Sequence, residues 1–248
     1  MGLYDESAQK ACVNCVKSKV FRYIIIKILT MISNSKSDSP PISAEAYERI
    51  FQTIHSIVKA ECQDETKSCI YFGILGAYLL DQHHGLKSAR PLFGVAGYNL
   101  RTPTNFVTIY GREINGEILA SGEGFHCWVE VNGWTIDFSA PLFGQALAPR
   151  ICGSAVPPLM FMKRHQDSVV EINDLNIPGA YLHRHDKILT LTLMSNFLSR
   201  PINGRLADVC AKWYVAPPGD MSPVTEVIIR DGQTSRYDRS ALAVTGSW

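Results

Sequence analysis

The stretch FHCWVEVNGWTIDFSAP, residues 125–141, decides the reading of this chain. Asn132-Gly133 is the strongest short-range signal for a two-residue hairpin turn, because both central positions need a positive φ. Such a turn pairs Val131 with Trp134 and Trp128 with Asp137. It sets His126 opposite Ser139, with Asp137 as its diagonal neighbour. Successive side chains of a strand alternate between faces. One face then carries Cys127, Val129, Val131, Trp134, Ile136 and Phe138, a nearly continuous apolar surface. The other carries His126, Trp128, Glu130, Thr135, Asp137 and Ser139. Diagonal neighbours lie about 7–8 Å apart, within reach of a His–Asp hydrogen bond. A carboxylate set against an imidazole is the base-and-orienter half of a nucleophilic triad. For the hairpin alone, the plainer expectation is a half-exposed element whose polar face meets water.

A nucleophile upstream changes that balance. TKSCIYFGILGAYLLDQ, residues 66–82, reads as a helix with Thr66 or Ser68 as its cap. After Cys69 the segment is apolar on almost every side, which predicts a buried helix. Cys69 falls in the first turn, where backbone N–H groups are free and the helix dipole favours a thiolate. Lys67 adds positive charge nearby. The plainer reading is that Cys69 is a small buried hydrophobe, which is common for cysteine. The helix start favours the functional reading, since it offers both thiolate stabilisation and an oxyanion-binding N–H.

Cysteine helix, histidine strand and aspartate strand follow one another in that order. Over about residues 60–141 the chain resembles the transglutaminase-like branch of the papain-like cysteine enzymes, a group that includes arylamine N-acetyltransferases and many bacterial peptidases. The likeness is carried by Cys69 opening an apolar helix and by the Gly85–Gly97 segment GLKSARPLFGVAG. It continues through His126-Cys127-Trp128-Val129-Glu130-Val131, Gly133-Trp134, and Asp137 ahead of Pro141. The resemblance implies a bacterial relative of these enzymes with an α+β fold. Its core would be papain-like, a cysteine-bearing buried helix packed on an antiparallel sheet. It further implies a triad of Cys69, His126 and Asp137, acting as a cysteine hydrolase or acyltransferase on an amide, ester or thioester through a thioester acyl-enzyme. The spacing of Gln63 ahead of Cys69 resembles that of the papain-type oxyanion glutamine, although an exposed polar residue before the helix is the plainer reading. Trp128 and Glu130 share the face of His126 and Asp137 and stand as substrate-binding candidates, with packing the plainer role for Trp128. The implied partner is a peptide, an amide or a small acyl donor, with no metal or organic cofactor required. No substrate groove is legible in the sequence. The alternative is a binding module that keeps the fold without turnover.

Length and charge bound these readings. At 248 residues and 46% apolar, the chain can bury one substantial core or two small ones. With 24 basic against 23 acidic residues, the net charge of +1 leaves no electrostatic footprint for nucleic acid. Seven cysteines without a disulfide rhythm, and no secretory signal, predict a reducing, cytoplasmic setting.

Residues 1–42 read as an extension and linker, and residues 43–248 as a single domain. Val20–Ile32 is apolar but broken by Arg22 and Lys27, and is shorter than the ~20 residues that cross a bilayer. Residues 1–32 are therefore read either as an amphipathic helix lying on a membrane or on the domain, or as a segment ahead of a true start at Met31. SNSKSDSPPIS, residues 33–43, is a polar linker. Cys12-x-x-Cys15 lacks the second pair that structural zinc needs. His83-His84 and His183-x-His185 lack further ligands at metal spacing and read as surface residues. His83 is also excluded as a base for Cys69, being roughly 21 Å away along the helix.

Elsewhere the pattern predicts a helix over 43–62, capped by Ser43, with Ala46, Ile50, Ile54 and Ile57 on one face. Residues 91–97 and 105–111 read as strands, and Asn115-Gly116 as a turn between strands ending at Ile114 and starting at Glu117. After Pro141 the pattern weakens. Helices are read at 187–199 and 204–213, and a strand at Val224–Arg230.

Overall fold

The structure, a computed structural model, describes residues 39–62, 68–100, 102, 105–149, 156–230 and 233–248. The readings placed on residues 1–38, on Gln63, and on Thr66 and Lys67 lie outside the described residues. In chain order the principal elements are α1 (Ala44–Glu61), α2 (Cys69–His84), β1 (Arg90–Asn99), β2 (Val107–Tyr110), β3 (Arg112–Ile114) and β4 (Glu117–Leu119). They continue with β5 (His126–Val131), β6 (Trp134–Asp137), α3 (Phe143–Leu147), β7 (Leu159–Arg164) and β8 (Tyr181–His185). The chain closes with α4 (Lys187–Leu198), α5 (Pro201–Trp213), β9 (Val224–Arg230), β10 (Gln233–Asp238) and β11 (Gly246–Ser247).

Local chemistry accounts for most of these boundaries. Ser43 caps α1, its hydroxyl accepting from the Ala46 N–H at 3.1 Å. Gly85 ends α2 in the left-handed region, φ +65. α5 begins at Pro201, earlier than the expected residue 204, because proline at the first helical position lacks only an N–H that has no intrahelical partner anyway. Both Asn-Gly turns form as read, with φ +50 and +80 at Asn132-Gly133 and φ +55 and +85 at Asn115-Gly116. The first fixes the register Val131↔Trp134, Glu130↔Thr135 and Val129↔Ile136. The same register carries Trp128 to Asp137.

The fold is α+β. Seven strands form one sheet in the order β11-β7-β6-β5-β1-β2, with β8 also paired to β1. All pairs are antiparallel except β11 with β7. Ala96, Gly97 and Tyr98 pair with both β2 and β8, so β1 is hydrogen-bonded along both edges there. β3–β4 and β9–β10 are separate two-stranded hairpins. No helix among the described residues is long and apolar enough to cross a membrane.

The β5–β6 hairpin lies inside the sheet and is buried on both faces, which corrects the half-exposed expectation. On one face Cys127, Val129, Val131, Ile136 and Phe138 join the buried side chains of α1, α2, α4 and α5 in one core. On the other, Trp128 lies in a second core with Tyr98, Phe143, Leu147, Phe161, Tyr181 and Trp248. His126, Thr135 and Asp137 on that face are 2%, 0% and 0% exposed. The residues packed on it come partly from β1 and β2, and partly from segments after Pro141, where the sequence pattern is weakest.

Helix α2 approaches the hairpin at van der Waals distance because of two glycines. A Cβ on Gly73 would stand 2.1 Å from Cys127 Sγ, and one on Gly76 would stand 2.3 Å from the Phe138 ring. Gly73 lies one turn after Cys69 on the same helical face. Its contact with Cys127 therefore sets the first turn of α2 over the neighbouring strand residue, His126.

Candidate active site

Cys69 is the first residue of α2, as the apolar run predicts, and is half-buried. Ser68 occupies the cap position, but its side chain makes no capping hydrogen bond, a departure from the capping expectation. Its carbonyl instead accepts from the Tyr71 and Phe72 N–H groups at 2.9 and 3.4 Å.

His126 Nε2 lies 2.7 Å from Asp137 Oδ2, as the hairpin register requires. His126 Nδ1 is buried with no partner of its own, which leaves it as the nitrogen for the Cys69 thiol. Cys69 lies near enough for its charge to act on the imidazole. Burial alone would push the His126 pKa down. The Asp137 charge and hydrogen bond, reinforced by Cys69, override that and raise it to about 10. The ring is therefore an imidazolium at neutral pH, poised beside the thiol. Tyr110 stacks on it at 4.5 Å between ring centroids, 28° from parallel.

Asp137 is wholly buried, and burial would favour its neutral form. His126, Ser139 and Tyr98 outweigh that and hold its pKa below the usual carboxylate range. Oδ1 accepts from the Ser139 N–H at 2.9 Å and hydroxyl at 2.7 Å. Oδ2 accepts from His126 and, at 2.7 Å, from the Tyr98 hydroxyl. The main-chain oxygen of Asp137 accepts from Tyr47 on α1.

Cys69, His126 and Ser139 open into one cavity of about 220 Å³. Tyr110, Phe125, Leu142, Phe143 and Ala146 give it apolar walls, and Glu123 adds a carboxylate. Glu123 is exposed and paired with Arg112 at 2.7 Å. Residues 140–147, which follow the hairpin as a short 3-10 turn and α3, thus close one side of the site. Among the described residues no cluster of three His, Cys, Asp or Glu side chains is arranged to hold a metal ion.

Of the two substrate-binding candidates, Trp128 takes the plainer packing role and Glu130 is corrected. Trp128 is 1% exposed and stacks on His183 at 4.3 Å and 8°, away from the cavity lining. Glu130 is held by Arg90 at 3.0 Å and His165 at 3.2 Å, and it too lies outside the cavity. The surface reading of the histidine pairs is also corrected in part. His183 is buried, its Nε2 2.7 Å from the Tyr98 hydroxyl, while His185 is exposed. His83 and His84 are half-buried against α5, bonded to the Ala211 carbonyl at 2.9 Å and the Tyr214 hydroxyl at 2.7 Å. Tyr98, Tyr110, Phe143 and His183 are the site residues that the sequence reading missed. For Tyr98 and His183 the signal would have been β8 and its partnership with β1, which pairs Ala96 with His183 and Tyr98 with Tyr181.

An α+β sheet protein whose cavity is lined by Cys69 and His126, with Asp137 buried behind the histidine, is the class that fold and site define. Residues 43–248 match the family described as "Protein of unknown function (DUF2026)", and the chain belongs to that family. It is also similar to a solved structure described as "The crystal structure of genomics APC5867", with 31% sequence identity and a TM-score of 0.76. That likeness covers 86% of this chain and 99% of the other. No curated protein matches the chain.

Proposed function

We propose that this protein is a cysteine-dependent hydrolase or acyltransferase with a transglutaminase-like, papain-like core. Cys69 is its nucleophile, His126 its acid–base and Asp137 its orienting group. The observation that carries this reading is the alignment of three groups. Asp137 Oδ2 holds His126 Nε2 at 2.7 Å, His126 Nδ1 is left without a partner, and His126 and the helix-start Cys69 line one cavity.

The chemistry follows from a His126 imidazolium beside the Cys69 sulfur. The Cys69 thiolate adds to the carbonyl carbon of an amide, ester or thioester, forming the S–C bond. The oxyanion is met by the free N–H groups of the first turn of α2. The His126 imidazolium delivers its Nδ1 proton to the leaving heteroatom as the C–N, C–O or C–S bond breaks, leaving a thioester on Cys69. The now neutral His126 takes a proton from water or from an amine, which attacks the thioester and regenerates the thiolate. Asp137 stays ionised throughout and holds the ring. A cavity of about 220 Å³ with apolar walls suits a small acyl group, the end of a peptide or a simple amide.

Rate mapping with iodoacetamide, followed by trapping with a panel of acyl esters and thioesters, tests this reading. Cys69 is expected to alkylate faster than the other cysteines at neutral pH and to carry an acyl adduct that Cys69→Ala abolishes. Alkylation of Cys69 no faster than that of the other cysteines, with no adduct on it, would overturn the assignment.

A further inference from the structure

Building on the catalytic reading of Cys69, His126 and Asp137, we propose that Tyr98 and His183 are positioning residues. They form a one-way hydrogen-bond chain that holds Asp137 ionised and aimed at His126. The Tyr98 hydroxyl lies 2.7 Å from Asp137 Oδ2 and 2.7 Å from His183 Nε2. A phenol has one proton, and an ionised carboxylate only accepts. The proton therefore goes to Asp137, and His183 must donate its Nε2–H to the Tyr98 oxygen. The chain runs His183 to Tyr98 to Asp137, ending on the same oxygen that receives His126.

This assignment fixes the state of His183. Burial drives its pKa down to about 3, against the pull of Asp137, so the ring is neutral. With the proton on Nε2, Nδ1 is left as a buried acceptor without a partner. An unpaired buried acceptor costs about 1–3 kcal/mol. A phenylalanine here would keep the stack on Trp128 and avoid that cost. A histidine at a site where an apolar ring fits better is explained by the one thing phenylalanine lacks, the Nε2–H.

The surroundings of Asp137 single out the same residues. Tyr47 from α1 reaches its main-chain oxygen, and Cys69 from α2 lies beyond His126. Tyr110 from β2 stacks on His126, Cys127 of β5 has its thiol raised by burial and then by the charges of Cys69 and Asp137, and His165 acts on His183. Among the described residues, His126, Ser139 and Tyr98 are the donors to the carboxylate itself. Removing the Tyr98 donor favours the protonated carboxyl. Once Asp137 is neutral, burial drives His126 neutral, and the Cys69 thiolate loses its counter-ion. His183 acts one step further back, since donation into the Tyr98 oxygen polarises and pins the O–H.

The test uses the full-length chain as wild type, Tyr98→Phe, His183→Phe and His183→Gln. The rate of iodoacetamide alkylation at Cys69 is followed against pH, with thermal melts beside it. The acid edge of Cys69 reactivity is expected to move to higher pH by about half a unit or more in Tyr98→Phe. It moves less, in the same direction, in His183→Phe, and returns toward wild type in His183→Gln, which keeps a donor. His183→Phe is expected to melt no lower than wild type. An unmoved edge in Tyr98→Phe and His183→Phe, with Cys69 still the fastest cysteine, makes both residues packing groups and overturns the proposal. If Tyr98→Phe fails to fold, the two His183 variants decide. If wild-type Cys69 is not the fastest cysteine, the triad reading itself fails, a distinct result.

Discussion

Gly73→Ala is the substitution that most directly probes how the helix places the thiol. The new Cβ would stand 2.1 Å from Cys127 Sγ, and Cys127 is 1% exposed with nowhere to go. Non-bonded heavy atoms rest at about 3.5–4.0 Å, so helix and strand must separate by roughly 1.5 Å. Overpacking of this kind costs about 1–3 kcal/mol, and alanine returns about 1 kcal/mol of helix propensity. The net loss of stability is then only about 0–2 kcal/mol. Function should suffer more. Cys69 is one turn away on the same face, and a shift on the order of 1 Å between reacting groups costs about 100-fold. Iodoacetamide alkylation at Cys69 should therefore slow by about 10- to 100-fold while the melt moves only a few degrees. Cys127→Ala removes the obstructing sulfur. The remaining approach, to Cys127 Cβ at 3.3 Å, is tight but tolerable, so the double variant should recover most of the reactivity. Wild-type reactivity in Gly73→Ala would refute the reasoning. So would a double variant as slow as the single, because the sulfur contact would then not be what sets the position of Cys69.

Three further outcomes are expected. Stability should peak near pH 6.5. Between pH 6.5 and about 10 the fold keeps a proton on His126 that the unfolded chain has released, so stability falls as pH rises. Between about 3 and 6.5 the unfolded chain takes up a proton that His183 refuses in the fold, so stability falls as pH drops, and Asp137 adds to the loss below about 4. Urea melts across pH check this, and a curve flat from pH 4 to 9 would contradict it. Asp137→Asn should move the His126 titration well down from about 10, since burial is then opposed by Cys69 without the Asp137 charge, and NMR of the ring would reveal a His126 that stays high. Ile136→Ala, on the opposite face and 0% exposed, should cost roughly 2–5 kcal/mol in chemical denaturation, and a loss under 1 kcal/mol would contradict its place in the core.

The legible part of the site is the part encoded over short distances. Asn132-Gly133 tolerates the positive φ of a tight turn, and that fixes which residues of β5 and β6 oppose one another. His126 and Asp137 are eleven residues apart, and their hydrogen bond is a consequence of that turn. Cys69 was found because an apolar run with a capping residue ahead of it marks a helix start. Glu130 departs from its candidate role, and Trp128 takes its plainer packing role, for one reason. Alternation says which residues share a face, and it is silent on what covers that face. Here β1, β8 and residues 140–147 cover it, leaving room at His126 and none at Trp128.

The sequence by itself thus determined the hairpin register, the face shared by His126 and Asp137, and the cysteine at the head of a buried helix. Each follows from backbone preferences and periodicity within a window of some twenty residues. Tertiary structure alone decided that β8 pairs with β1, bringing His183 against Tyr98 across 85 positions of the chain. It also decided that two glycines let α2 descend onto the hairpin until Cys69 meets His126. Strand order and helix approach are set by how whole faces pack together, and no local dihedral preference or hydrophobic period carries that information.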